Sequence, residues 1–472
     1  MKKIIDFFLS LKLTVVLLCL SMVLVFAGTL AQVDKGIWTV MDQYFRCLVA
    51  WIDLHVFFPR SMDIPDVRIP FPGGFLIGWL LVINLVTVHW ASFKAQATGG
   101  RKVAGIVFLL LGVLVTAGVM FGWGTASVAA TESDAFWRVF LRLGRGTLAA
   151  VVFYVACLLL YRKRAGMVLL HGGILFLLIG EFATALFAVE ATMTIKEGET
   201  VSYIDHSQQL ELSFTDTSNP DFDTVTVVPG DALKDGALIK PDGLPFDIKI
   251  NRYMVNSNNP QPLQGISESL RSRYPEYEGY GSRLYVVELP EASGARGTRN
   301  APAVDVELFN RATGDSLGRY ILSLWFYPNF VNRSWDMPTN ITVGDKDYTV
   351  YFRFRREYVT SPSGSPYSIK LLDFVHEKYE GTQMPKDFAS QILLVNEGDQ
   401  VERELRIWMN NPLRYARRTF YQSGYLPDDS GTVLQVVRND SWMIPYLSCM
   451  IVFVGMAAQF VQSLGRHLRR DA

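Results

Sequence analysis

The chain has 472 residues, half of them hydrophobic, with 45 Lys and Arg against 45 Asp and Glu and a net charge of +0. That length points to more than one domain, and balanced charge without a basic stripe argues against nucleic acid as a partner. The four cysteines, Cys19, Cys47, Cys157 and Cys449, form neither CxxC nor CxxCH, so no disulfide framework, zinc site or covalent haem attachment is encoded.

A bilayer core of about 30 Å takes about 20 apolar residues in a helix. Runs at 13–31, 75–93, 103–121, 167–189 and 442–464 meet that need. A sixth, 147–161, is short and needs its flanks or a thinned bilayer to cross. The first run exceeds a signal-peptide core of ~7–15 residues and is expected to stay as a span. Basic residues cluster at Lys2, Lys3 and Lys12, at Lys94, Arg101 and Lys102, at Arg162, Lys163 and Arg164, and at Arg466, Arg469 and Arg470. Six crossings put all four clusters on one side, the cytoplasmic side by the positive-inside rule. Both termini and the tail 465–472 are then cytoplasmic, and 190–441 lies outside a cell inner membrane.

Between the first two spans, GIWTVMDQYFRCLVAWIDLHVFF is aromatic and nearly uncharged. It predicts an amphipathic helix over about 37–58 lying on the outer bilayer face. RSMDIPDVRIPFPGG then breaks regular structure before the chain re-enters the membrane.

From about 190 the period changes to two. TMTIKEGETVSYI, QLELSFTD, DTVTVVPG, FDIKINRYMV and AVDVELFN alternate apolar with polar, as do ITVGDKDYTVYFRFRREYV and TVLQVVR. These predict an antiparallel β domain, a sandwich or open barrel. Residues 257–280, rich in Asn, Pro, Ser and Gly, read as an excursion loop. The domain carries no Gly-rich phosphate loop, HExxH pair or GxSxG elbow, so no catalytic residue is assigned.

Six histidines remain: His55, His89, His171, His206, His376 and His467. His467 falls in the basic tail, as a solvent or headgroup contact, and His206 and His376 are expected to be structural. His89 lies late in a span running inward and His171 early in one running outward, so both belong to the cytoplasmic leaflet. An ionisable residue there is a functional hypothesis, because hydrocarbon offers it no water. Two imidazoles at one depth can bracket a haem iron, or each can meet a partner's ligand. Gly172 and Gly173 leave room for a neighbouring helix or a flat macrocycle. Interhelical hydrogen bonding is the plainer alternative. A proton relay to Glu181 is disfavoured, because ten helical residues place it ~15 Å away.

The chain resembles the ResB family of cytochrome c biogenesis proteins, of the haem-attachment pathway called System II. The resemblance rests on ordered blocks: SLKLTVVLLCLSMVLVFAGTLAQ, IPFPGGFLIGWLLVINLVTVHW, RAGMVLLHGGILFLLIGEFATALFAVEATMTIKEGE, YEGTQMPKDFASQILL, NPLRYARRTFYQSGY and LQVVRNDSW. It implies a membrane subunit of a cytochrome c haem lyase complex, non-catalytic alone, that binds haem b transiently and without covalent attachment. It implies as partners a ResC (CcsA)-type membrane protein, apocytochrome c and a thiol-reducing thioredoxin-like protein. His89 matches the position thought to ligate haem iron in an early span. His171 stands in the HGG block with a less secure role, and His55 on the outer segment is placed to receive emerging haem. Trp335-Asp336 is isolated, so the tryptophan-rich haem-handling segment belongs to the partner. The pair 103–121 and 147–161 looks like an insertion, and Asp440-Ser441 replaces the usual proline-glycine. Two other classes stay open: a sensor with an external ligand-binding domain, against which the short tail counts, and a b-type cytochrome subunit of a respiratory complex.

Overall fold

A computed structural model describes the chain except residues 1, 36, 59–61, 63–64, 66, 93, 122–134, 292–299, 332–336, 382–384 and 469–472. Trp335 and Asp336 therefore lie outside the described residues. The chain divides into two compact units. One holds the residues up to Val33, Ile37–Ala188 and the chain from Asn439 onward; the other is built on Val189–Arg438.

The first unit is helical. Its long helices are α1 Leu11–Lys35, α2 Gly74–Ser92, α3 Gly99–Met120, α4 Ala135–Tyr161, α5 Ala165–Phe187 and α6 Ile444–Leu468. Their Leu, Val and Phe side chains largely face outward, among them Val15, Val16, Met22 and Phe26 on α1 and Val107, Leu110 and Leu114 on α3. In water so much exposed apolar surface would drive association; in hydrocarbon it is the solvated face, and the helix satisfies its own backbone.

Among the described residues five apolar segments are long enough to cross a membrane, and one of them runs 49 residues from Val139 to Phe187. As one helix it would span about 73 Å at 1.5 Å per residue, well over one bilayer core. The chain breaks it: Arg162 takes a left-handed φ of 52° and a 3-10 turn, Arg162–Arg164, separates α4 from α5. The short run expected at 147–161 is the second half of the 27-residue α4, which starts at Ala135. Arg142 does not stop that helix, because its guanidinium lies 5.1 Å from the centre of the Trp442 ring.

Glycines fix how the helices approach. Gly166, Gly173 and Gly180 recur every seven residues on α5. A Cβ at these positions would meet Gly455 and Gln459, Val452 and Ile451, and Ile444 of α6, all within 3.0 Å. Small residues at that spacing let two backbones close together. A buried amide ties α2 to the chain's start: Thr14 Oγ1 donates to Asn84 Oδ1 at 2.7 Å, and Asn84 Nδ2 donates to the Phe8 carbonyl at 2.7 Å.

The outer helix expected over 37–58 is replaced. Helix covers only Ile37–Val40, which widens into a π turn at Met41–Phe45. Strand β1, Val49–Asp53, then pairs antiparallel with β2, Arg68–Pro72, with Trp51 opposite Pro70. Ala50 and Ile52 point inward while Val49 and Trp51 point out, the alternation of a strand. Five residues, three of them aromatic or β-branched, suit either period. The partner strand decides, and it lies beyond any local window.

The second unit is mainly β. After β2 come β3 Val189–Lys196, β4 Thr200–Val201, β5 Tyr203–Asp216, β6 Thr224–Pro229, β7 Leu238–Ile239, β8 Phe246–Met254, β9 Gln261–Pro262 and β10 Leu284–Tyr285. They are followed by β11 Ala303–Asn310, β12 Ser316–Ser323, β13 Thr339–Val343, β14 Lys346–Tyr358 and β15 Ser368–Lys378. The last are β16 Pro385–Asn396, β17 Val401–Trp408, β18 Leu413–Tyr415, β19 Arg418–Tyr425 and β20 Gly431–Arg438. An eight-stranded sheet runs β13-β14-β5-β3-β20-β19-β18, with β6 also on β5. Two four-stranded sheets run β12-β11-β8-β7 and β17-β16-β15-β4.

Each four-stranded sheet shares a core with part of the large one. Phe246, Ile248, Ile250, Val304 and Val306 pack with Leu212, Phe214 and Val350. Ile369, Leu371, Ile392 and Leu394 pack with Met193, Ile195, Phe420 and Leu434. The expected excursion loop at 257–280 is partly ordered: β9 pairs with β10, and Tyr277 Oη donates to the buried Asp305 at 2.9 Å.

Candidate functional site: a histidine pair in the helical unit

His89 sits in the last turn of α2 and His171 in the second turn of α5. Their imidazoles meet edge to face, ring centroids 5.0 Å apart and planes at 89°. His89 Nδ1 lies 3.0 Å from the Leu85 carbonyl oxygen, one helical turn back. A carbonyl only accepts, so Nδ1 carries the hydrogen and the neutral ring keeps its lone pair on Nε2. Metal-ligating histidines are held in the same way, with the second nitrogen donating to a fixed oxygen.

The pair does not bracket a metal in this arrangement. An imidazole–metal bond is about 2 Å long, so ligation from opposite faces of one iron separates the two nitrogens by twice that, with a macrocycle between the rings. Perpendicular rings at 5.0 Å leave no such gap. The site as folded offers one iron ligand with a second imidazole beside it.

The two glycines after His171 have different work. A Cβ on Gly173 would come 2.8 Å from Val452 Cγ2 and 3.0 Å from its backbone nitrogen, so Gly173 admits α6. A Cβ on Gly172 would meet nothing within 4 Å, so no packed neighbour requires a glycine there. Glu181, ten residues along α5, is exposed.

An aromatic lock at the other end of the α2–α5 contact escaped sequence reasoning. Phe75 and Trp79 of α2 pack on Phe182 of α5, centroids 5.5 and 5.0 Å apart, and a Cβ on Gly78 would stand 2.9 Å from the Phe182 ring. Phe75 precedes His89 by 14 residues and Phe182 follows His171 by 11, near-whole numbers of helical turns. Each aromatic thus shares a helix face with its histidine, a signal that was present in the sequence.

The other histidines stand apart from this pair. His55 lies in a 3-10 turn, Leu54–Phe57, where its Nδ1 and backbone nitrogen approach Asp53 Oδ1 at 3.1 and 3.0 Å. His206 pairs with Glu357 at 2.9 Å, and His376 with Asp429 at 2.8 Å. His467 ends α6 and is exposed. Among the described residues no three His, Cys, Asp or Glu side chains converge as a site for a metal ion.

Residues 332–441 match the ResB-like family. Protein NrfI of Wolinella succinogenes is 24% identical over 355 residues, which cover 74% of this chain and 33% of that protein. The chain thus spans about a third of the length of the curated relative it matches. The family match falls on the stretch that carries β13 to β20, and the alignment with NrfI covers most of the chain, so this chain is similar to the ResB-like family in that segment.

Proposed function

We propose that this protein is a membrane subunit of a cytochrome c maturation system, holding haem within the bilayer for presentation to apocytochrome c outside. The family supports the pathway, and the His89–His171 contact carries the reading for haem. A bare metal ion would need donors that the described residues do not bring together. Haem brings four equatorial nitrogens of its own and asks the protein only for axial ligands.

In this reading haem is cargo. His89 presents Nε2 to the iron, with Nδ1 tied to Leu85 so that the ring keeps one tautomer and one direction. His171 is the adjacent imidazole, and Gly172 leaves space for the edge of a flat ring. The six long helices cross the membrane with both termini cytoplasmic, and the β unit lies outside to guide apocytochrome or brace a ResC-type partner. This chain positions and does not itself make thioether bonds. His55 is placed at the outer end of the path, where emerging haem would pass.

The test is the haem spectrum of the full chain, purified with and without its partner. Haem content lowered in His89→Ala and unchanged in His55→Ala supports the reading; haem content unchanged in both variants ends the assignment to His89. A stable b-type cytochrome would instead show both imidazoles bound to one iron at all times, which the perpendicular contact opposes.

A further inference from the structure

We infer that the β unit carries a second position for a metalloporphyrin, with His376 as its axial ligand. The inference rests on the haem reading for the class of ligand, and on a separate set of residues for the site.

His376 lies on β15, its side chain 4% exposed. Nδ1 approaches Asp429 Oδ1 at 2.8 Å. A carboxylate accepts, so Nδ1 carries the hydrogen and Nε2 holds the lone pair. That nitrogen is buried and has no hydrogen-bond partner. Buried polar atoms are nearly always satisfied, and an exception calls for a cause. An imidazole oriented by a carboxylate through one nitrogen, with the other left open, is how proteins prepare histidine for a metal.

The surroundings select the metal's form. The Tyr425, Phe374 and Phe388 rings stand 4.2, 6.3 and 6.5 Å from the imidazole centroid. No further His, Cys, Asp or Glu completes a metal-ion site among the described residues. One nitrogen among aromatic planes suits a ligand that supplies its own equatorial donors and a large apolar face. Because Nε2 is covered, binding requires the rings around it to part, and the macrocycle replaces the aromatic packing it displaces. Asp429, on the β19–β20 turn, has its side chain 41% exposed and sets the cluster near the surface.

The experiment uses the full chain in detergent, with His89→Ala and His171→Ala combined to silence the membrane pair. Ferric protoporphyrin IX is titrated and followed at the Soret band. One equivalent with a histidine-ligated spectrum should remain, and His376→Gln should abolish it. Asp429→Asn keeps the imidazole and hence the fold, and should weaken binding about ten- to hundredfold, as loss of a ligand-orienting partner does. Superimposable titrations with and without His376, or equal binding of metal-free protoporphyrin, would overturn the proposal. In the His376→Gln chain, haem binding left unchanged by a further His89→Ala would instead count against the membrane reading.

Discussion

Gly166 on α5 and Gly455 on α6 sit backbone to backbone. A Cβ on Gly166 would stand 2.9 Å from the Gly455 carbonyl oxygen, and one on Gly455 would stand 3.0 Å from that of Gly166 and 2.6 Å from the Leu170 nitrogen. Neither neighbour is a side chain that can swing away. Gly455→Ala should therefore destabilise the helical unit by about 1–3 kcal/mol, the cost of overpacking, as a lower unfolding midpoint in detergent. Gly172→Ala, where nothing is met, should stay within about 0.5 kcal/mol of wild type. Equal behaviour of the two variants would refute the division of roles between close-packed and open glycines.

The β unit contains a buried ion pair, Arg353 Nε to Glu211 Oε1 at 2.9 Å, with side chains 8% and 3% exposed. Removing one member strands the other charge. Glu211→Leu alone should cost about 3–5 kcal/mol. Glu211→Leu combined with Arg353→Met should cost less than that single change, because no uncompensated charge remains. Denaturant unfolding of the four chains of this cycle decides it, and additive costs would show the pair to be uncoupled.

Glu357 accepts from His206 at 2.9 Å and pairs also with Arg418. Burial pushes its carboxyl up, but these two donors outweigh burial and hold it below its ordinary 4.5. A depressed carboxylate adds stability that is present above the unfolded value and lost as pH falls through the folded one. The unfolding midpoint should drop as pH falls below 4.5, and it should drop less steeply in Glu357→Gln. Asp216, drawn down to about 2 by the hydrogen bond from Lys346, acts in the same direction at lower pH. Its partner Lys346 is solvent-exposed, so the pair contributes little. An identical acid limb in Glu357→Gln would remove Glu357 from the account.

Much of the architecture was legible in local pattern. Long apolar runs gave the helices, because a bilayer sets both their length and their outward faces. The change to a period of two at the end of α5 gave the β unit. Where two periods fit equally, as in VAWID, local pattern misled, and the pairing with RIPFP corrected it. The first turns of α4, from Ala135, lay outside the expected span 147–161, and the Trp442 ring beside Arg142 accounts for a guanidinium within that helix. His376 read as structural because Asp429 lies 53 residues away and no spacing rule joins them.

The amino-acid order alone determined which residues could be histidine ligands and on which helices they stand, since burial of an imidazole in an apolar run is a local property. It did not determine that His89 and His171 touch. That contact depends on how α2 and α5 are rotated about their axes, which Gly78, Trp79 and Phe182 fix at one end and the glycine stripe against α6 fixes along α5. Side-chain shape at contacts far apart in sequence decides such rotations, and periodicity carries no record of them.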